Sequence, residues 1–170
     1  MEIQYRVADK RDIPQILSII RQAQESIKKL GIGQWQDGYP NQKIFEADIQ
    51  KDQCYVFVSK KQIAGVMVVS FEAEECYSAI SGDGWRSDRP YGVLHRVAVA
   101  DSMRGCGLAS QMLELAEILC LQNGVFSLRV DTHTGNLPMW KFLNKHGFVL
   151  CGTVDYGGPD GKRIAFEKLL

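Results

Sequence analysis

The stretch Val97 to Ser110, VAVADSMRGCGLAS, runs from an apolar strand pattern through a short turn into a helical pattern that opens beside a glycine-flanked arginine. Residue types in that order can hold an anion. The first turn of a helix presents backbone N–H groups without partners and a partial positive charge, and Gly105, Gly107 and Ala109 keep bulk away from them. Arg104 adds a permanent charge with several donors, and Ser110 adds a hydroxyl at the same helix end, a set suited to the oxygens of a pyrophosphate. Read in isolation, the RGxG also fits a plain turn with a solvated arginine, so its context must decide. Cys106 sits between the two glycines, where a helix N-terminus lowers a thiol pKa. An acyl-cysteine route is one reading of it. A small residue tolerated in a loop that faces phosphates is the plainer one.

Three histidines could move protons near neutrality, since a free imidazole titrates at about 6.5. They are His95 on the strand before the glycine loop, His133 in Asp131-Thr132-His133 past the next strand, and His146 at a helix end. Helix-end histidines commonly meet free carbonyls. Asp131 is a candidate partner for His133, or with Thr132 a cap for the turn.

These groups need a scaffold that brings distant segments together. The spacing predicts an extended start at Glu2 to Val7, then a helix with Asp12 as N-cap, Pro14 in its first turn and Gly31 at its end. A loop at Gly31 to Pro40 and a short helix at Asn41 to Lys51 follow. Cys54 to Ser59 and Gln62 to Phe71 read as a hairpin across Lys60-Lys61. After a turn-rich connection at Ser81 to Pro90, Gly92 to Ala100 resumes as an alternating strand. Leu108 to Leu119 is an amphipathic helix stopped by Asn123-Gly124, and Phe126 to Asp131 is a strand. A helix capped by Asn136 and ended by Gly147 leads to two closing strands, Phe148 to Val154 and Arg163 to Leu169, joined by Gly157 to Gly161. The order is that of an α+β domain with helices on both faces of a sheet. Residues 1–170 show no repeat and no linker, so one domain is expected.

Lysine plus arginine and aspartate plus glutamate number 20 each, so no overall field draws the chain to nucleic acid or an anionic membrane. No apolar run approaches a membrane span of about 20 residues, and Met1 to Lys10 lacks a signal-peptide layout. The cytoplasm is the expected location. The five cysteines are an odd, widely spaced set without a Cys-x-x-Cys pair, so neither a disulfide framework nor a metal site is expected.

Arg104, Gly107 and Ala109 match the pyrophosphate loop of the GNAT superfamily of acyl-CoA N-acyltransferases, which this chain resembles. A second signature agrees with it: Asn136, Met139, Phe142 and Gly147-Phe148 look like the family's helix that opens with asparagine and ends in Gly-Phe. The resemblance covers the central and C-terminal half closely and the N-terminal half through element order alone. It implies a mixed, mostly antiparallel sheet of six to seven strands and acetyl-CoA as donor. The backbone of Val97 and Val99 would pair with the pantetheine arm, Arg104, Gly105, Cys106, Gly107, Leu108, Ala109 and Ser110 would bind the pyrophosphate, and Asn136, Met139 and Phe142 would complete the coenzyme site. A dinucleotide-binding βαβ unit fits less well, because antiparallel strands flank the motif on both sides.

The resemblance further implies direct attack of an amine, from a small molecule or a peptide, on the thioester in a ternary complex. His95 is the first candidate base: it lies two residues before Val97, and strict strand alternation would set both on one face. The comparable stretch LHRVAV is similar to one containing a histidine in serotonin N-acetyltransferase. His133 is the second candidate. Where many members carry a tyrosine that protonates the leaving thiolate, this chain has Leu143, so no general acid is assigned and Tyr156 is a remote candidate. Trp35, Tyr39, Tyr77 and Trp85 are expected to wall the acceptor pocket, with Glu72, Glu74 and Glu75 either drawing a cationic amine or forming a solvated run. Family habit implies a homodimer. A catalytically silent acyl-CoA sensor with the same fold is the alternative, and turnover separates the two.

Overall fold

The computed structural model describes residues 3–170; Glu2, expected to begin the first strand, lies outside them. The elements are β1 (Gln4–Val7), α1 (Ile13–Lys28), α2 (Gln42–Gln50), β2 (Cys54–Ser59), β3 (Gln62–Ser70), β4 (Gly92–Val99), α3 (Leu108–Gln122), β5 (Ser127–His133), α4 (Leu137–Lys145), β6 (Val149–Asp155) and β7 (Lys162–Leu169). The strands form one seven-stranded sheet in the order β1-β2-β3-β4-β5-β7-β6. Every neighbouring pair is antiparallel except β4 with β5. This is the expected α+β architecture.

Each face of the sheet buries its own cluster. Ile13, Ile16, Ile19 and Ile20 of α1 and Phe45 and Ile49 of α2 pack on Val56, Val66 and Val68. Leu108, Met112, Leu115 and Ala116 of α3 pack with Leu143 of α4 on Met67, Val69, Leu128 and Val130 of the opposite face. The longer helices, α1 and α3, meet their strands through the i, i+3, i+4 stripe that the sequence displays.

Asp12 does not cap α1 as expected. A 3-10 turn over Lys10–Asp12 comes first, and Asp9 caps it reciprocally with Asp12. Asp12 instead accepts the Asp9 N–H at 2.8 Å and binds Arg6 Nη1 at 2.7 Å. The β2–β3 turn carries left-handed backbone at both Lys60 (φ 48°) and Lys61 (φ 66°), the geometry whose twist suits a two-residue hairpin.

Two departures within β4 create the site. The first is a bulge: His95 pairs with Val68 and Ala98 with Val66, so three steps on β4 span two on β3. Arg96 takes up the excess with φ 51°. Such a bulge resets the two-residue period. Leu94 faces α3 before it and Val97 and Val99 face α3 after it, whereas His95 stands opposite Val68 on the α1 side. Strict alternation, which would set His95 and Val97 on one face, therefore fails. Arg96 is turned toward α2, where Nε and Nη2 donate to Asp48 at 2.8 and 2.7 Å and Nη1 donates to the Tyr39 hydroxyl at 2.5 Å.

The second departure is a split in the sheet. β4 and β5 pair only at Gly92 with Leu128 and Val93 with Arg129. Beyond that, β4 stays with β3 and β5 runs with β7 as far as His133 opposite Arg163. The strands part, and a cleft opens between them.

The connection before β4 is more ordered than its turn-rich sequence predicts, with a 3-10 turn at Glu75–Ala79. Its later part is held by the fully buried Glu167, which accepts Ser127 Oγ at 2.6 Å, Arg129 Nε at 3.0 Å and the Arg86 N–H. The Arg129 guanidinium lies between the rings of Trp85 (4.1 Å) and Tyr91 (3.8 Å) and donates to Ser87 O.

Candidate active-site cleft

The cleft between the parted strands has a volume of about 1280 Å³ and is lined from both halves of the chain. One end is the mouth of α3. Gly105 (φ 76°) and Gly107 (φ 79°) carry left-handed backbone, and beyond the adjoining residues no atom of a described residue lies within 4 Å of where a Cβ would stand on either. Glycine is required here by conformation, not by crowding within the protein. The turn leaves the N–H groups of Gly105, Gly107, Leu108 and Ala109 without an acceptor among the described residues. Four amides at a helix N-terminus form a concentrated anion-binding surface.

The remaining loop residues are engaged otherwise. The Cys106 N–H points at Met103 O (3.5 Å) and the Ser110 N–H at Gly107 O (3.1 Å). Leu108 buries its side chain in the core and offers only its backbone. The Ser110 hydroxyl, expected to face phosphates, lies 3.0 Å from His146 Nε2. His146 Nδ1 is 2.8 Å from Phe142 O, an oxygen that only accepts, so Nδ1 carries a proton. The helix-end histidine thus meets a last-turn carbonyl, as its position predicts. Arg104 is held beside the mouth by Asp101 (2.8 Å) and by Ser26 of α1 (2.6 Å).

From the mouth, the edge of β4 runs along the cleft through Val97 and Val99, with no strand beside it among the described residues. Met139 and Phe142 of α4 line the facing wall with Asn136, whose Oδ1 accepts the Met139 N–H at 3.3 Å and caps α4. The loop between α1 and α2 bridges the two halves. Gln34, nearly buried, brings Oε1 within 3.3 Å of Asn136 Nδ2 and 3.4 Å of the His133 N–H.

The other end of the cleft gathers side chains from four segments. His95 Nε2 is 3.2 Å from Glu74 Oε2, and the His95 contact draws the Glu74 pKa below the usual carboxylate range. With Nε2 beside a carboxylate, Nδ1 is the ring nitrogen left to exchange a proton. Asp131 Oδ2 accepts hydrogen bonds from the Tyr77 hydroxyl (2.7 Å) and the Tyr156 hydroxyl (2.8 Å). Both phenols are pushed far above their ordinary pKa, first by burial and then by the charge of Asp131. They remain protonated donors. Trp35 and Tyr39 stand on the cleft wall as expected, whereas Tyr77 and Trp85 wall a neighbouring cavity of about 550 Å³ and Tyr77 reaches the cleft only through its hydroxyl on Asp131.

His133 does not meet Asp131. Its Nδ1 accepts the Gly135 N–H at 2.9 Å and its Nε2 lies 2.8 Å from Asp160. Both ring nitrogens are engaged in holding the turn before α4 to the β6–β7 connection. The contacts of Glu74 with His95 and of the two tyrosines with Asp131 have no sequence signature, since they join residues 21, 54 and 25 positions apart.

A family model described as Acetyltransferase (GNAT) family matches residues 16–148. A crystal structure of an acetyltransferase of the GNAT family from Streptococcus agalactiae is 35% identical, with a TM-score of 0.88, over 99% of this chain and 95% of that one. The S-(2-succino)cysteine N-acetyltransferase of Bacillus subtilis is 25% identical over 162 residues, which is 92% of this chain and 90% of the relative. A GNAT family acetyltransferase structure from Listeria monocytogenes, 22% identical, shares the fold with a TM-score of 0.75 over 100% of this chain and 96% of that chain.

Proposed function

The chain belongs to the GNAT acetyltransferase family, and from that premise we propose that it moves the acetyl group of acetyl-CoA onto a primary amine by direct attack in a ternary complex. One observation carries the reading: four bare amides at the mouth of α3, beside Arg104, lie at the end of an unpaired strand edge. A diphosphate satisfies the amides. An extended amide-bearing arm satisfies the edge as an added strand would. Asn136, Met139 and Phe142 close the opposite side.

His95 is the proposed base. Its Nε2–H bonds to Glu74, which stabilises the imidazolium and leaves Nδ1 to accept a proton. The acceptor ammonium gives one proton to the base, and its nitrogen then attacks the thioester carbonyl carbon. The carbon–sulfur bond breaks as the amide forms, the thiolate leaves, and one of the two protons left on nitrogen is lost to solvent while the other stays on the amide. We assign no protein acid to the thiolate: Leu143 is buried in the core, and a phenol with a raised pKa, as Tyr156 has, is a weak donor. His133 is assigned to holding its turn.

The relative from Bacillus subtilis is named for S-(2-succino)cysteine, an amine flanked by carboxylates. An acceptor of that kind would need cations at the far end of the cleft here. Thiol release from acetyl-CoA, followed across a panel of amines and amino acids, tests the activity. Amine-dependent release that falls in His95→Ala and survives in His133→Ala is the expected result. Tight coenzyme binding with no amine-dependent release would overturn the proposal and favour a silent sensor.

A further inference from the structure

The charges at the acceptor end are not evenly matched. Lys51 is paired with Glu72 at 2.8 Å, Arg96 with Asp48 at 2.7 Å and His95 with Glu74 at 3.2 Å. Arg163 directs Nη1 to the backbone carbonyls of Asp160 and Lys162 at the β6–β7 turn. Among the lining carboxylates that are not exposed, Asp131 alone has no cationic partner from a described residue. It lines the cleft from the end of β5, and its partners among the described residues are two neutral phenols, both on Oδ2. Oδ1 receives no hydrogen bond from a described residue.

The two phenols come from opposite sides. Tyr77 is 2% exposed, its ring set 4.8 Å from Trp85 and its backbone carbonyl bonded to Trp85 Nε1. Tyr156 reaches in from the end of β6. Two donors on one oxygen fix the plane of the carboxylate, so the second oxygen keeps one orientation. A half-buried anion without a cationic neighbour attracts a cation entering its cleft and repels a carboxylate.

Building on the acetyltransferase reading, we propose that Asp131, oriented by Tyr77 and Tyr156, anchors the acceptor's ammonium group and selects amines that carry no carboxylate. Asp131 is then a specificity-determining residue, and His95 takes the proton. The acceptor class follows: cationic alkylamines, diamines among them, in preference to amino acids and to the polycarboxylate amine for which the Bacillus subtilis relative is named.

The test uses 1,5-diaminopentane and lysine, which differ by one carboxylate, titrated calorimetrically into the full chain with and without coenzyme A. The native protein is expected to bind the diamine about tenfold more tightly than lysine. Asp131→Asn should weaken the diamine by about tenfold or more and erase the preference, with coenzyme affinity unchanged. Tyr156→Phe, at a surface position, should weaken the diamine by a smaller factor while keeping the preference. Diamine affinity within twofold of native in Asp131→Asn would overturn the proposal, as would native protein that binds lysine as well as the diamine or binds neither. Should Asp131→Asn lose coenzyme binding through misfolding, Tyr156→Phe decides, and diamine affinity unchanged in it overturns the proposal. Failure of the native chain to bind coenzyme A would sink the acetyltransferase reading instead, while the amine titrations still report on Asp131.

Discussion

The two ends of the cleft are built in opposite ways. The end proposed for the coenzyme is a contiguous segment, Arg104 to Ala109, whose shape comes from two left-handed glycines and the start of one helix. The end proposed for the acceptor is assembled from residues 74, 95, 131 and 156, which come from four separate segments. A contiguous site depends on local backbone geometry. An assembled site depends on everything that fixes the distance between its parts, which here means the β4 bulge, the β4–β5 split and the buried ion pairs behind them.

That contrast is open to measurement, and the largest effect should come from a residue in neither end. Glu167 is fully buried and bonded to Arg129, Ser127 and the Arg86 amide. Glu167→Ala leaves the Arg129 guanidinium without its counter-charge and should cost about 3–5 kcal/mol in urea unfolding. In the folded fraction the amine KM should rise while coenzyme affinity holds. Equal damage to both ends would break the distinction.

His95→Ala should lower kcat by about a hundredfold or more, read by thiol release at saturating coenzyme, with little change in coenzyme affinity. Arg104→Ala should do the converse. Loss of one charge-assisted contact weakens coenzyme A binding by about 1.5–3 kcal/mol in calorimetry, and kcat at saturation should stay near native. Gly107→Ala sharpens the local claim further. Beyond the adjoining residues its Cβ would meet no atom of a described residue within 4 Å, so any loss, about 1–2 kcal/mol, comes from forcing a left-handed backbone on alanine.

The smallest effect is electrostatic. The Glu74 pKa is depressed by its contact with His95, so this carboxylate contributes stability above its unfolded pKa of about 4.3. That contribution is lost as pH falls through the lower folded value. Urea midpoints measured between pH 6 and pH 3 should decline less steeply in Glu74→Gln than in the native chain. Parallel curves would show that the contact contributes no stability.

How much of this was legible beforehand follows from the same contrast. The glycine loop, the Asn136 cap, the hairpin at Lys60-Lys61 and every helix could be read from the sequence, because each depends on neighbours within a few residues. Long-range contacts decided the rest. Asp12 gave its carboxylate to Arg6 and Asp9 instead of capping α1. Ser110 turned to His146 from 36 positions away. The Ser81 to Pro90 stretch, a loop by composition, is tied down by Glu167 from the last strand.

The sequence by itself determined the order of elements, their apolar faces and the bare amides at the mouth of α3, since helix and strand periodicity and the left-handed preference of glycine act locally. Only the tertiary structure decided that His95 leaves the face of Val97, that Glu74 meets it, and that two tyrosines converge on Asp131. A bulge shifts side-chain parity by one residue without a compositional mark, and contacts between distant segments arise from how the whole sheet packs, which no short window of residues encodes.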